Sequence, residues 1–435
     1  MKRVAITGIG VVTALGEDVS TVWRRLLAGE NGIRRITFFD SSDYGCKVAA
    51  EVQTLQGAGL RERDNYRLES GLSAIPGDSC RRSVQIFRKA AGDAFADSGL
   101  DGSDTNRAEI GVLAGASVAY IDHEMVTEQY YPARRADGKE IDLARFAATG
   151  REPSSSFPRR LGDLMAAVPA KELGLSGPLG VIDTACAASA HAIGEAFRLI
   201  RRGRVKAMLA GGVSALVGPI SILYFAILGA LSRCEDPEQA SRPFDRQRDG
   251  FVMGEGGGAV VLEDMEHAQA RGARIYAELA GYASSLNAHN LTDPSPDGEC
   301  EASTMRMALR DARLAPEEID YVAAHGTSTP KNDATEALAI QKAFGTHARR
   351  LLVSSNKGQI GHTIAGAGVC NLIAAVKAME EGRVPPTVHH CNSDPECDLD
   401  IVPNVSRPAT IRAALANAFA FGGQNAVLAV RAVAS

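Results

Sequence analysis

The 435-residue chain contains no CxxC pair, no low-complexity segment and no strong excess of either charge. Its eight cysteines are scattered at positions 46, 80, 186, 234, 300, 370, 391 and 397, which argues against a disulfide framework and for reduced thiols in a cytoplasm. A net charge of −5 gives no global attraction to nucleic acid or to an anionic membrane. The stretch from Met1 to Gly8 runs straight into a strand pattern, with no continuous apolar h-region and no small-residue cleavage site, so no signal peptide is expected. One charge-free stretch, Ala207 to Leu231, is long enough to span a bilayer. Gly211-Gly212, Ser214 and Gly218-Pro219 interrupt it, which suits a buried strand, a turn and a buried helix rather than one membrane helix.

What the chain does have is the 45% apolar and 23% charged content of an ordinary globular protein, with enough length to need no staple. Short apolar or β-branched runs alternate with helical stretches. They include Val4–Thr7, Ile110–Leu113, Val181–Thr184, Val205–Ala210 and Ala259–Leu262, then Tyr276–Leu279, Tyr321–Ala324, Leu351–Ser354 and Ala426–Val430. That alternation predicts an α/β protein with buried sheets. Helices are expected over Asp18–Leu27 and Asn371–Met379 from their apolar stripes, and a helix start at Pro316-Glu317-Glu318. The charged stretch Asp264–Arg274 is the softest boundary and divides the chain into residues 1–264 and 265–435. A strand feeds a polar turn on each side of it, Ile182 to Cys186 and Val353 to Lys357, which suggests a duplicated α/β unit. Polar insertions at Glu62–Asp78 and Tyr120–Pro158 read as surface loops or caps near a substrate entrance.

Asp183-Thr184-Ala185-Cys186-Ala187-Ala188-Ser189-Ala190-His191 places a cysteine between a strand and a helix of small residues. A thiol at a helix N-terminus is expected to have a lowered pKa, and the turn exposes backbone N–H groups that can hold an oxyanion. A free cysteine is also an ordinary small core residue, so on this motif alone the two readings stand level. His191, inside the following helix, reads as a packed residue rather than a base.

Two later segments tip that balance. Ala324-His325-Gly326-Thr327-Ser328-Thr329-Pro330 follows a strand, so His325 can face a pocket where Thr327 and Thr329 bond an amide-rich arm. Ser355-Asn356-Lys357-Gly358-Gln359-Ile360-Gly361-His362 supplies a lysine and a second histidine among glycines that permit close backbone approach. Either histidine alone reads as structural; with Lys357 and the Cys186 turn the set fits one chemistry. A thiolate takes an acyl group from a thioester, a malonyl thioester loses CO2, and two neutral imidazoles donate to the resulting enolate oxygen. A nearby ammonium keeps those imidazoles from becoming cationic.

These segments resemble the β-ketoacyl-[acyl-carrier-protein] synthase I/II family, of thiolase-like fold, over nearly the whole chain. The likeness runs from Val4–Gly10 through Arg242-Pro243-Phe244-Asp245 and Arg248–Gly256 to Phe419-Ala420-Phe421-Gly422-Gly423-Gln424-Asn425. It implies duplicated α/β halves in a five-layer αβαβα arrangement. By the same likeness Cys186 is acylated, His325 and His362 stabilise the enolate, and Lys357 tunes them with Glu336 as its ionic partner. Backbone N–H groups of Cys186 and Phe421 form the oxyanion hole, Phe421 gates the acyl pocket, and Thr327 and Thr329 contact the phosphopantetheine arm. The expected partner is acyl carrier protein, in a homodimer or a heterodimer with a chain-length partner, without metal or redox cofactor. Departures from the family pattern are Ala365-Gly366, where Gly-Ala is usual, Ala420, where a glycine is usual and whose Cβ is expected to stiffen the gate, and a Tyr120–Pro158 region longer than the common pattern.

Other readings account for less. Gly8-x-Gly10-x-x-Thr13 lacks the third glycine of a dinucleotide fingerprint. Gly254–Gly258 precedes a strand, which marks a tight backbone crossing rather than a phosphate cradle. His389-His390-Cys391 with Cys397 fits no standard zinc spacing. A Cys-His hydrolase leaves Lys357 and the second histidine without a role, a thiolase needs a second cysteine, and a non-catalytic chain-length subunit would lack Cys186. A ketosynthase of a type II polyketide or polyene pathway remains the alternative to fatty-acid biosynthesis. The basic run Arg201, Arg202, Arg204 and Lys206 is a candidate carrier-docking face, set against the usual solvated face.

Overall fold

The structure is a computed structural model that describes residues 1–53, 82–117, 130–135, 140–148 and 163–433. The Glu62–Asp78 insertion, Cys80, and Tyr120–Pro158 apart from residues 130–135 and 140–148 lie outside the described residues.

Five strands come from the first half of the chain: β1 (Val4–Thr13), β2 (Ile110–Ala116), β3 (Leu179–Ile182), β4 (Ala207–Ser214) and β5 (Gly256–Asp264). Five come from the second: β6 (Ala277–Leu286), β7 (Tyr321–Ala323), β8 (Leu352–Ser354), β9 (Ala413–Phe419) and β10 (Gln424–Arg431). They form one sheet in the order β8-β7-β9-β10-β6-β1-β5-β4-β2-β3. Both halves share one plan. In the first, β3, β2 and β4 run parallel and β5 and β1 follow antiparallel. In the second, β8, β7 and β9 run parallel and β10 and β6 follow antiparallel. The halves join where Val4–Ile6 of β1 pairs with Ala277–Leu279 of β6. Repetition of the same strand order is the duplication expected from the sequence.

Helices complete five layers. α1 (Val19–Leu27) starts where Asp18 accepts the Thr21 N–H, and its Val22, Trp23 and Leu26 are buried. α2 (Arg82–Ser98) and α3 (Leu164–Glu172) cover the outer face of the first half. α4 (Ala188–Arg201) and α8 (Ala367–Glu381) form the layer between the halves, and small residues line their buried faces. α5 (Pro219–Ile227) follows β4, α6 (Glu299–Ala312) and α7 (Pro330–Phe344) cover the outer face of the second half. The charge-free stretch is β4, a turn and α5, but the burial expected of that helix is corrected: only Ile222 of α5 is buried, while Leu223, Tyr224 and Ile227 are exposed. No helix among the described residues is long and apolar enough to cross a membrane.

Gly8 and Gly10 let α2 approach β1: a Cβ on Gly10 would lie 2.1 Å from the Ala90 carbonyl oxygen. The near-fingerprint is a packing device. Pro316–Glu318 makes only one 3-10 turn, because Ile319 is extended and leads into β7. The turn expected at Val353–Lys357 as the counterpart of the Cys186 turn is also corrected. In each half a 3-10 turn, Ala185–Ala187 or Ile364–Gly366, runs directly into the buried helix α4 or α8. Both turns open on a non-glycine residue at positive φ, Ala185 at 48° and Ile364 at 43°. The second half therefore presents Ala365 where the first presents Cys186.

Candidate active site

Cys186 follows β3 in the turn before α4, and strain at Ala185 aims its side chain inward. His362 and Ile364 stand at the matching turn before α8, so the duplication itself brings the two turns face to face. His362 Nε2 lies 3.2 Å from Cys186 Sγ, and Ile364 N–H donates to His362 Nδ1 at 3.2 Å. With Nδ1 accepting, the neutral ring carries its proton on Nε2, directed at the sulfur. His325, just past β7, puts its ring 5.3 Å from that of His362 at 81°, and its Nδ1 is buried without a partner. Donor atoms of Cys186, His325 and His362 all lie within 4.8 Å of one another.

Burial pushes both histidines well below the ordinary imidazole pKa, and the Lys357 ammonium pushes the same way. Both rings are neutral near pH 7. Lys357 is itself pushed down to about 8 by burial, against the pull of Glu336. Burial drives the Cys186 thiol up to about 11, opposed by Lys357 and by the N–H groups of Phe421 and Cys186. The lowering expected from a helix N-terminus is thus corrected: loss of solvent outweighs the helix end, and the resting group is a thiol. Those same two N–H groups point at the sulfur, where the oxyanion hole was expected.

Lys357 donates to the His325 carbonyl rather than forming an ion pair with Glu336. The direct pairing expected between them is a correction: Glu336 influences Lys357 through space only. Its carboxylate accepts the N–H groups of His325 at 2.8 Å and Gly326 at 2.7 Å, and Asn417 donates to it at 3.0 Å. Asp333, not singled out in the sequence, accepts the N–H groups of Thr327, Ser328 and Phe244 at 2.9, 3.1 and 2.8 Å. The two acids, three residues apart on α7, pin the loop that carries His325. An acidic pair in the first turns of a helix opened by Pro330 was the available signal.

A cavity of about 300 Å³ reaches Cys186, His325 and His362 and is lined by Thr327, Thr329 and Phe421. Thr327 and Thr329 hydroxyls bond one another at 2.8 Å. At the rim Lys331 pairs with Asp293 at 2.6 Å. Phe421 starts the turn between β9 and β10, its ring 6.5 Å from Phe225. Ala420 has φ −129° and ψ 156°, an ordinary extended conformation that its methyl does not strain. Gly366 takes the close approach in the altered motif, since a Cβ there would lie 2.5 Å from the Gly256 carbonyl oxygen.

Other candidates lie elsewhere. His191 bonds Thr184 at 2.7 Å and Ser284 at 2.9 Å, as a packed helix residue. His389 bonds the Ser241 carbonyl, and the zinc group considered there is not assembled among the described residues. The basic run sits at the far end of α4, whose 14 residues span about 21 Å from the Cys186 turn. Arg201 there is held by Asp311 at 2.8 Å.

A thiol, two neutral imidazoles and a lysine, gathered at the matching turns of a duplicated α/β fold, define a thiolase-like condensing site. Residues 1–268 match the beta-ketoacyl synthase N-terminal domain and residues 276–390 its C-terminal domain. The chain belongs to the beta-ketoacyl synthase family, whose members are acyltransferases. It is 41% identical over 433 residues to a 3-oxoacyl-[acyl-carrier-protein] synthase 2 of Synechocystis sp., covering 99% of this chain and 98% of that one. Among solved structures it is similar to the AntDE:AntF complex, a type II polyketide acyl-carrier protein with its ketosynthase bound to the hexaketide. The TM-score is 0.86 at 33% identity, over 99% of this chain and 100% of that one. The ishigamide ketosynthase/chain length factor gives a TM-score of 0.82 at 33% identity over 100% of both chains.

Proposed function

We propose that the protein is a 3-oxoacyl-[acyl-carrier-protein] synthase of fatty-acid biosynthesis. Cys186 attacks an acyl thioester, forms its own thioester and releases the carrier thiol. A malonyl thioester then enters and its C–C bond to the carboxylate breaks, releasing CO2. The electron pair left behind becomes an enolate, whose oxygen receives N–H donation from His325 and His362. The enolate carbon bonds the acyl carbonyl carbon while the N–H groups of Cys186 and Phe421 hold the developing oxyanion. Collapse expels the Cys186 sulfur, which takes a proton and returns to the thiol. The observation that carries this reading is the proton-bearing Nε2 of His362 at 3.2 Å from Cys186, beside a second neutral imidazole.

Burial, with the Lys357 ammonium pushing the same way, holds both rings neutral, and Glu336 holds the His325 loop. Thr327 and Thr329 receive the phosphopantetheine arm of acyl carrier protein, and Phe421 gates the acyl end. Protein N–H donors supply the charge stabilisation, so the reaction uses no metal or redox cofactor beyond the carrier arm. Support for a homodimer comes from β3, the edge of the sheet, which among the described residues pairs with a strand on one side only and where Leu179 is exposed. The free state of Cys46, Cys186, Cys234, Cys300, Cys370, Cys391 and Cys397 supports a cytoplasmic setting.

The test is to supply acyl- and malonyl-carrier protein and measure adduct mass, CO2 and product. A 3-oxoacyl product with matching CO2 supports the reading, and free acid would indicate a Cys-His hydrolase. The likeness to polyketide ketosynthases favours a second reading, a type II polyketide or polyene ketosynthase working beside a chain-length partner. Phe225, Leu228, Phe251 and Ile364 give the cavity an apolar wall, which supports reduced acyl chains. Repeated elongation of an unreduced 3-oxoacyl primer would favour the polyketide reading instead.

A further inference from the structure

The cavity lining also holds the polar residues Asn287, Glu301, Thr327 and Thr329. Glu301 has no part in the reaction described above. It stands in the first turn of α6, only 2% exposed, and its Oε2 is buried without a hydrogen-bond partner. The other oxygen receives one long contact from Asn287 Nδ2, at 3.4 Å. Burial, with Asp297 adding its negative charge, raises the carboxyl above the usual range, against its own backbone N–H and Asn287. A buried oxygen left unmatched is costly, and such groups ordinarily find a partner in the protein or in a ligand.

The unpartnered Oε2 is a hydrogen-bond acceptor, which complements the N–H of a secondary amide. Glu301 shares this lining with the Thr327 and Thr329 hydroxyls, which a carrier arm would pass, and with Thr292 and Asp293. We propose that Glu301 is a positioning residue for the substrate, pairing its carboxyl with an amide of the pantetheine-type arm. This rests on the reading that substrates arrive as carrier-arm thioesters. An acid that merely supports the start of α6 would affect stability and would be blind to the arm.

The experiment compares Cys186 acylation by butyryl-pantetheine and by the butyryl thioester of ethanethiol, which has no amide, across concentration. Glu301→Ala is expected to raise the half-saturating concentration of butyryl-pantetheine about tenfold, with the maximal rate and the amide-free thioester unchanged. Glu301→Gln keeps a donor and an acceptor and is expected to stay within about twofold of wild type. Should Glu301→Ala fail to fold, Glu301→Met, similar in size and without hydrogen-bonding oxygens, carries the same comparison. Equal effects on both thioesters, no effect on either, or a Gln variant as impaired as the Ala variant would overturn the proposal. Wild-type enzyme acylated by neither thioester would overturn the parent reading, and this one with it.

Discussion

Nε2 of His362 lies 3.2 Å from Sγ of Cys186, while the far side of the ring accepts the Ile364 N–H. One short turn thus fixes the tautomer, and the tautomer sends a proton toward the place where negative charge develops. The arrangement depends on Ile364 holding φ at 43°, a conformation that costs a β-branched residue on the order of 1–3 kcal/mol. That strain is offset by burial of the turn between the two halves.

Cys186→Ala is expected to abolish the acyl adduct completely, because the other described cysteines lie outside the cavity lining. Intact mass after incubation with acyl-carrier protein checks this. An adduct persisting on the variant would place the nucleophile elsewhere.

With burial holding the Cys186 thiol up to about 11, its thiolate is scarce at neutrality and grows with pH. Alkylation by iodoacetamide should accelerate steadily from about pH 6 to about pH 8. Lys357, pushed down to about 8, then loses its proton and its attraction for the thiolate, so the rise flattens above that point. Lys357→Met should slow alkylation at pH 7 several-fold and remove the flattening. A plateau already present at pH 6 would mean that the helix end outweighs burial.

Both histidines are held well below the ordinary value of 6.5, so CO2 release should show no inflection there. Lys357→Met removes one cause of the lowering and should move an acidic inflection upward. A wild-type profile that halves near 6.5 would contradict neutral rings.

Gly10→Ala would set a Cβ 2.1 Å from the Ala90 carbonyl oxygen and should destabilise by about 2 kcal/mol or more. Gly92 lies in the same helix α2 with nothing within 4 Å, so Gly92→Ala should stabilise by about 0.5–1 kcal/mol. Thermal melting of the two variants checks the opposite signs.

Cys186, His325, Lys357 and His362 were legible because each sits in an unusual local string of small or hydroxyl residues beside a strand. The strands β1, β2, β4, β5 and β10 were legible too, since buried β-branched runs carry their own signal. β9 was not among the runs singled out, because Ala413–Phe419 is rich in alanine and has a weak strand signature. Contact geometry was the harder part. Lys357 and Glu336 carry opposite charges, which suggests a pair, yet the backbone N–H groups of His325 and Gly326 claim the carboxylate first. Burial of the Cys186 thiol likewise depends on which chains close over the turn, and local sequence holds no record of that. Glu301 was not singled out, because only the fold places it in the cavity wall.

The most direct test of the account is His325→Ala, read for acyl-adduct mass and for CO2 release from malonyl-carrier protein on the same samples. The account predicts that the adduct forms near the wild-type rate while CO2 release falls on the order of a hundredfold or more. Equal loss of both would contradict the assignment of the imidazole pair to the enolate.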